Sequence, residues 1–197
     1  MNAPLVSLQP PVFTARSLTL LVTGSVNACL VPYWLHWLTQ CYPGLSVHVL
    51  VSAMAKEFVT LRALRTLATG SVWTDDWSDP DLPESAHIAI AEISECFAVF
   101  PATLNITMKL AQGLTDTPAL MALQLTKAPV VLASAFPGEN EVITQHIETL
   151  KRRPNLALAE PVEAFSTGTG QWGRGQTGFF MPNVLQALER LRRTASA

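Results

Sequence analysis

The sequence contains four histidines, and His87 has the setting best suited to proton transfer. It follows a turn-rich segment of Pro, Asp and Ser (residues 69–85) and stands at the head of the apolar, strand-like run HIAIAE. An imidazole changes its charge near neutral pH, so it can serve as an acid or a base. No Asp, Glu or Ser is spaced to complete a hydrolytic triad with it, and no nearby His or Cys pair makes a metal site. His87 is therefore a candidate acid/base, with a purely structural histidine as the alternative.

A second polar turn follows further along the chain. The run CFAVF (residues 96–100) predicts a buried strand, Pro101 breaks it, and a helix is predicted from Leu104. The turn PATLN between strand and helix carries Asn105. Open α/β sheets bind their ligands at the carboxyl ends of strands. The sequence thus predicts a site in this turn.

Two earlier turns also follow apolar runs. In TGSVNA the backbone N–H groups and Ser25 lie where a helix begins, a position that favours a phosphate. The turn lacks the GxGxxG and GK[ST] patterns of NAD and ATP sites, and an ordinary strand-to-helix turn is the alternative. In SAMAKEFV, Ser52 is either a plain helix N-cap or a ligand contact, and the N-cap is favoured.

Apolar runs alternate with helical patterns along the whole chain. Strands without polar alternation are typical of a parallel sheet that is covered on both faces. Strands are predicted at residues 17–24, 45–52, 96–100, 128–134 and 155–160. Helices are predicted at residues 26–41, 53–68, 104–113, 118–126, 139–153 and 182–193. We therefore predict an α/β fold, a Rossmann-like (flavodoxin-like) doubly wound parallel sheet with helices on both faces. The polar segments 69–85 and 165–178 are predicted surface loops, and the second is glycine-rich and a candidate mobile flap.

Composition favours one compact domain over residues 17–197, preceded by a flexible tail over residues 1–16. Of 197 residues, 49% are apolar and 14% charged, and such a low charged fraction indicates burial of surface between subunits. A net charge of −2 with mixed signs gives no indication of binding to nucleic acid or a membrane. The three cysteines show no CxxC spacing, which predicts neither a metal site nor a disulfide framework and favours the cytoplasm. No signal peptide or membrane-spanning run is expected.

Together these segments resemble the flavin-dependent cysteine decarboxylases. That family includes phosphopantothenoylcysteine decarboxylase and the enzymes that decarboxylate the C-terminal cysteine of ribosomal peptides such as lantibiotics. LLVTGSVNA and SAMAKEFV resemble the two phosphate turns of the family. HIAIAE resembles its active-site histidine motif, and PATLNITMKLAQGLTD its Pro-Ala-Ser/Thr-Ala-Asn-Thr motif with the following helix. The resemblance covers residues 18–191 and implies a single flavoprotein domain.

The resemblance implies FMN, or FAD as in some members, bound between the subunits of a homotrimer or of a dodecamer built from trimers. His87 would be the acid/base, and Asn105 would orient the substrate carboxylate. The residues implied in cofactor binding are Gly24, Ser25, Val26, Ser52, Ala102 and Thr103. The implied reaction oxidises the cysteine side chain to a thioaldehyde, after which CO2 leaves and an enethiol remains.

Two departures from the family pattern concern the substrate. The family carries Pro-x-Met-Asn-x-x-Met-Trp after the strand equivalent to APVVLAS, whereas this chain has SAFPGENEV, in which Asn140 could replace the missing asparagine. The coenzyme A enzymes carry Ala-Cys-Gly before a Gly-Arg pair, and alignment on Gly173 and Arg174 puts Thr167 in the place of the cysteine. Within the same glycine-rich segment, Trp172 is a candidate anchor for the peptide. The missing cysteine favours the peptide decarboxylases.

We therefore expect oxidative decarboxylation of the C-terminal cysteine of a ribosomally made precursor peptide, a step towards S-aminovinyl-cysteine rings. The expected partners are the C-terminus of that peptide, further copies of the chain and other peptide-modifying enzymes. The alternatives are an enzyme like phosphopantothenoylcysteine decarboxylase or flavin prenyltransferase, and a non-catalytic regulatory protein of the same fold. Retention of His87 and Asn105 favours an enzyme.

Overall fold

A six-stranded parallel sheet forms the centre of the protein. The computed structural model describes residues 9–135, 140–166 and 170–195. The strands of the sheet are β1 (Ser17–Val22), β2 (Ser46–Val51), β3 (Val72–Thr74), β4 (Cys96–Ala102), β5 (Val130–Ser134) and β6 (Leu156–Leu158). Their order across the sheet is β3-β2-β1-β4-β5-β6. This order confirms the predicted doubly wound fold.

Helices cover both faces of this sheet. They are α1 (Val31–Cys41), α2 (Leu61–Leu67), α3 (Ala86–Ile93), α4 (Leu104–Ala111), α5 (Pro118–Leu125), α6 (Glu141–Lys151) and α7 (Met181–Ala195). Two 3-10 turns precede α1 and α2, at Val26–Leu30 and Ala53–Glu57. The helices α1, α2 and α7 contribute to one buried apolar cluster, and α3, α4, α5 and α6 to the other.

The apolar strands explain why the sheet lies between two helical layers. In β1, Leu20 and Val22 pack into the cluster of α1 and α7, whereas Leu21 between them packs into the opposite cluster. Every residue of β4 is buried. A strand with apolar side chains on both faces removes its apolar surface from water only when both faces are covered.

Two predictions about the segment before β4 are wrong. Residues 69–85 were expected to form a loop, but β3 lies within them and pairs with β2 through Val49 and Val72. The run HIAIAE is helical, because it lies within α3. The burial pattern gives the reason: Ala86 and Ile90, four residues apart, are buried, while Ile88 is 47% exposed. The alternating Ile and Ala of this run imitate a strand pattern.

The glycine-rich segment predicted as a surface loop is partly an antiparallel hairpin. Its strands are β7 (Val162–Ser166) and β8 (Gln171–Thr177), and Phe165 lies opposite Trp172 in their register. A bridge between Ala135 and Thr177 joins the hairpin to the end of β5. Residues 167–169 lie outside the described residues.

The segment predicted as a flexible tail contacts the domain from Pro11 onward. The hydroxyl of Tyr42 donates to the carbonyl oxygen of Pro11 at 2.6 Å, and Phe13 packs edge-on against the Tyr42 ring. Both the N–H and the hydroxyl of Thr14 donate to the Glu189 carboxylate of α7. Residues 1–8 lie outside the described residues. Among the helices of the described part of the chain, none is long and apolar enough to cross a membrane.

Candidate functional site

The candidate site lies where the strand order reverses, at the carboxyl ends of β1 and β4. From β1 the chain moves towards β2 and β3 on one side, and β4 begins the other half of the sheet. The helices that follow β1 and β4 diverge to opposite faces, which opens a crevice between the two strand ends. The three turns singled out in the sequence all follow strands β1, β2 and β4, which are neighbours in the sheet.

The first turn, after β1, is packed directly against the second. A Cβ added to Gly24 would lie 2.4 Å from the Cβ of Met54, so the contact requires glycine. The Ser25 hydroxyl accepts from the N–H of Asn27 at 3.3 Å and caps the 3-10 turn. Val26 follows and is 56% exposed. The turn therefore presents backbone N–H groups and an apolar side chain at the sheet edge.

The second turn brings Ser52 to the same edge. Its N–H donates to the carbonyl oxygen of Val22 at 3.0 Å, which ties β2 to β1 where the strands end. Its hydroxyl accepts from the N–H of Ala55 at 3.3 Å, so the predicted N-cap is confirmed. A capping hydroxyl keeps its own hydrogen as a donor. Ser52 can therefore cap the turn and still donate to a ligand.

The third turn, after β4, is held to the first by a residue that the sequence did not single out. The Thr23 hydroxyl donates to the carbonyl oxygen of Pro101 at 2.7 Å and accepts from the N–H of Thr103 at 3.2 Å. The Phe100–Pro101 peptide is cis. Ala102 is fully buried in β4, whereas Thr103 is partly exposed and Asn105 is exposed at the start of α4. Thr103 and Asn105 are thus the residues of this turn that a ligand reaches without displacing the core.

His87 lies in the first turn of α3, which starts at the same edge because β3 runs in parallel with its neighbours. Its ring packs edge-on against Trp77, with centroids 6.1 Å apart and an interplanar angle of 68°. The Nδ1 atom of His87 is buried and has no hydrogen-bond partner within the described part of the chain. Buried polar atoms without a partner are rare and destabilising. A ligand that supplies a partner would remove that cost.

A second buried polar atom lies at the end of β5. The Ser134 hydroxyl oxygen has no hydrogen-bond partner among residues 9–135, 140–166 and 170–195. Ser134 pairs with Ala102 in the sheet, so its hydroxyl lies one strand away from the third turn. Sequence reasoning missed Ser134, although a hydroxyl that ends an apolar strand at the carboxyl edge was a usable signal.

Asp75, which directly follows β3, is a buried carboxylate bonded to α5. Its carboxylate accepts from the N–H of Ala119 at 2.8 Å. Burial raises the pKa of this carboxyl group, and hydrogen bonds from Ala119 and Thr117 offset part of that rise. Asp75 thus links the end of β3 to the start of α5.

The predicted substrate residues fall outside this cluster or outside the described residues. Thr167 is not among the described residues. Trp172 lies on β8 and is 73% exposed. Asn140 accepts from the N–H of Ile143 at 2.9 Å and caps α6, so its side-chain oxygen already has a partner.

Comparison with known proteins identifies the family. The Flavoprotein family matches residues 13–177. The chain belongs to this family. It is 47% identical over 181 residues to the cypemycin cysteine dehydrogenase (decarboxylating) of a Streptomyces species, covering 92% of this chain and 94% of that protein. It is 30% identical over 143 residues to a probable phosphopantothenoylcysteine decarboxylase of Streptococcus mutans, covering 70% of this chain and 78% of that one.

Solved structures agree with this Flavoprotein assignment. The cypemycin decarboxylase CypD superposes with a TM-score of 0.83 at 45% identity, over 94% of this chain and 98% of that one. The FMN-dependent cysteine decarboxylase TvaF from thioviridamide biosynthesis gives a TM-score of 0.66 at 30% identity, over 74% of this chain and 90% of that one. The resemblance to cysteine decarboxylases predicted from the motifs is thereby confirmed.

The residues at the strand edge fit a flavin. A phosphate suits the two turns, where Gly24 permits close backbone approach and N–H groups begin each 3-10 turn. The Nδ1 of His87 and the hydroxyl of Ser134, which have no hydrogen-bond partner among the described residues, suit a ligand with polar groups. The family and this geometry support a flavin cofactor.

Proposed function

We propose that this flavoprotein oxidatively decarboxylates the C-terminal cysteine of a ribosomally made precursor peptide to an aminoenethiol. The observation that carries the proposal is the buried Nδ1 of His87, which has no partner among the described residues and lies at the same edge of the sheet as the two packed turns. The 47% identity to a cysteine dehydrogenase (decarboxylating) supports the same reaction class.

We propose FMN as the cofactor, because TvaF is FMN-dependent and 30% identical to this chain. Bound FMN would supply the two-electron oxidation of the cysteine side chain to a thioaldehyde. The residues that would hold its phosphate and ribityl chain are Gly24, Ser25, Val26 and Ser52. Ala102 and Thr103 would lie beside its ring system, with Thr103 the more accessible of the two.

His87 would exchange the protons of the reaction. Oxidation of the cysteine side chain releases a proton from the thiol, and an imidazole near neutral pH is a suitable acceptor. The exposed amide of Asn105 would donate to the substrate carboxylate and hold it until CO2 leaves. Carbon dioxide leaves readily because the thioaldehyde accepts the electron pair of the broken bond.

The product is expected to be the enethiol and not its reduced form. Return of a hydride requires protonation of the enethiolate carbon, and the family resemblance assigns that task to a cysteine where this chain has Thr167. A threonine hydroxyl is much less acidic than a thiol with a reference pKa of about 8.5. The free enethiol could then add to a dehydrated residue of the same peptide and form an S-aminovinyl-cysteine ring.

Mass spectrometry of a reacted peptide tests this function. The protein is loaded with FMN and incubated in air with a synthetic peptide that ends in cysteine. We expect the peptide to lose about 46 mass units, which is CO2 plus two hydrogens. A peptide of unchanged mass contradicts the function, and a loss of CO2 alone contradicts the role assigned to Thr167. A matched peptide ending in serine is the control.

We further propose that the chain assembles into a homotrimer or a dodecamer of trimers, with the flavin between subunits. Large apolar side chains are exposed around the first two turns: Val26, Leu30, Tyr33, Met54 and Phe58. Contiguous exposed apolar surface is typical of an interface. Light scattering after gel filtration tests this, and a monomer that binds FMN tightly contradicts it. A cytoplasmic location and contact with other peptide-modifying enzymes stay predictions.

A non-catalytic regulatory protein of the same fold is the second candidate. The observation that favours it is the loss of the Met-Asn motif after β5, where Asn140 caps a helix instead. A protein that binds FMN but leaves every cysteine-terminated peptide unchanged would support it. An enzyme like phosphopantothenoylcysteine decarboxylase would instead act on phosphopantothenoylcysteine, and the same assay with that substrate distinguishes the two enzymes.

A further inference from the structure

Trp77 is an exposed aromatic residue whose placement is not explained by the roles proposed above. It lies between β3 and α3, is 49% exposed, and packs edge-on against the ring of His87. Its indole N–H donates to the carbonyl oxygen of Asp116 at 3.0 Å. The indole therefore contacts the candidate acid/base, while its N–H is bonded to the segment before α5.

The segment that carries Trp77 is held by a network of hydrogen bonds. The Asp76 carboxylate accepts from the N–H and the hydroxyl of Ser78 at 2.9 Å and 2.7 Å. The Asp79 carboxylate accepts from the N–H of Thr74 at the end of β3. Bonds on both sides of Trp77 restrict the backbone that positions it. Because the segment is held in place, the Trp77 indole can restrict the orientation of the His87 ring that packs against it.

The contacts of Trp77 continue to the helix that carries Asn105. Asp116 accepts from Trp77 through its carbonyl group and forms an ion pair with Lys109 through its carboxylate. Lys109 lies four residues after Asn105 in α4, and residues four apart share one helix face. His87, Trp77, Asp116 and Lys109 thus form a continuous chain of contacts from α3 to α4.

Within the described residues, the Nδ1 of His87 lacks the orienting hydrogen bond that the ring nitrogens of buried histidines usually have. His48 provides the contrast, because its Nδ1 accepts from the N–H of Ser71 at 3.1 Å. The Nδ1 of His87 has no such partner within the described residues. Acid/base histidines need a fixed ring orientation, which a third group normally supplies. Here the ring contact with Trp77 can do so.

We propose that Trp77 is a positioning residue that holds the His87 ring in a fixed orientation relative to α4 and Asn105. This inference rests on the proposed acid/base role of His87. It predicts that Trp77 affects the chemical step more than peptide binding, because the residue acts through His87.

Three variants of the full chain, loaded with FMN, test the kinetic part. Trp77→Ala should lower kcat about tenfold with little change in KM, because misplaced catalytic groups slow the chemical step. Trp77→Phe retains a ring against His87 and should restore kcat to within about threefold of wild type. Leu125→Ala removes another exposed apolar side chain, at the far end of α5, and should leave both constants unchanged. Thermal melts establish that each variant is folded.

A readout independent of activity is the NMR spectrum of the flavin-free protein with labelled histidines. The ring protons of His87, assigned by their loss in His87→Asn, should shift in Trp77→Ala because the ring current of the indole is removed. The signals of His36, His48 and His146 should stay in place.

The inference and the proposed function fail in different ways. An unchanged kcat in Trp77→Ala, a Phe variant as slow as the Ala variant, or a rise in KM without a fall in kcat would each overturn the positioning role. Unmoved His87 signals would also overturn it. Full activity of His87→Asn would instead overturn the proposed function of His87 itself.

Discussion

Gly24 and Met54 approach so closely that a Cβ on Gly24 would lie 2.4 Å from the Cβ of Met54. The same Cβ would lie 3.1 Å from the carbonyl carbon and 3.3 Å from the Cα of Met54, so the backbone of the second turn would have to move. The first two turns at the strand edge therefore depend on one glycine for their spacing.

Gly24→Ala should destabilise the protein by about 1–3 kcal/mol, the typical cost of overpacking. It should also weaken FMN binding, because the two turns that would hold the phosphate are forced apart. Gly44→Ala is the matched control, since a Cβ on Gly44 meets nothing within 4 Å. Chemical unfolding and quenching of FMN fluorescence measure the two effects. Equal FMN affinity for both variants would contradict the role of the first turn.

Thr23→Val should disconnect the first and third turns. The substitution keeps the shape of the side chain but leaves the N–H of Thr103 without its acceptor, at a cost of about 1–3 kcal/mol. Thr66→Val is the control, because its exposed hydroxyl only donates to a carbonyl of its own helix. Urea unfolding measures the loss of stability in each of the two variants. A loss of stability that is equal in both variants would mean that the Thr23 hydroxyl does not link the turns.

His48 should make stability depend on pH. Burial lowers the pKa of His48 below its ordinary value of 6.5, and its Nδ1 accepts a hydrogen bond from Ser71 that a protonated ring would lose. The unfolded chain therefore takes up the proton first. The contribution of His48 is fully present above pH 6.5 and is lost as the pH falls towards the lowered folded-state value.

Chemical unfolding at several pH values measures this dependence. His48→Gln, which has no charge to gain, should flatten the curve in that window. His36→Gln replaces an exposed histidine and should keep the wild-type slope. If the unfolding free energy of His48→Gln changed with pH as steeply as that of the wild type, the pH dependence would come from other groups. The stacked contact with Trp73 is tested at the same time, since loss of its aromatic partner should lower stability at every pH.

The sequence predicted the strands that end at the site better than the contacts that hold them together. Strands β1 and β4 were recognisable because their residues are apolar on both faces. The strand β3 was missed because three residues at a sheet edge leave no periodic signal. Thr23 and Ser134 were missed because their significance depends on partners, or on a lack of partners, across strand ends far apart in the chain.

Trp172 and Trp77, the two tryptophans to which roles are assigned, differ in the same way. A glycine-rich segment surrounds Trp172, which makes it recognisable in the sequence as a candidate peptide contact. Trp77 lies in a segment whose polar composition indicated only a loop, and its contact with His87 depends on the fold of β3 and α3. Local composition is enough to predict a turn, whereas a contact between two turns can be predicted only when the topology of the sheet is known.

Trp172→Ala should raise the KM for the peptide and leave FMN binding intact. Trp172 is 73% exposed on the hairpin that is bridged to the end of β5, so its indole is accessible to a peptide. A tenfold rise in KM would correspond to about 1.4 kcal/mol, within the range for partial burial of a large side chain. Val142→Ala, a comparably exposed position on α6, is the control. Unchanged turnover at low peptide concentration would contradict the contact.

His87→Asn should give a folded, yellow protein that no longer releases CO2. Asparagine retains hydrogen-bonding groups but cannot exchange a proton near neutral pH, and positioned acid/base groups contribute about 10²–10⁴ to rates. His146→Asn is the matched control, since His146 lies on α6 and bonds to Gln112 and its own helix. Flavin absorbance reports binding, and mass spectrometry of the peptide reports turnover. If His87→Asn retained activity within a few-fold of wild type, the His87 ring would be structural, and the proton transfer would have to be assigned to another residue at this edge of the sheet.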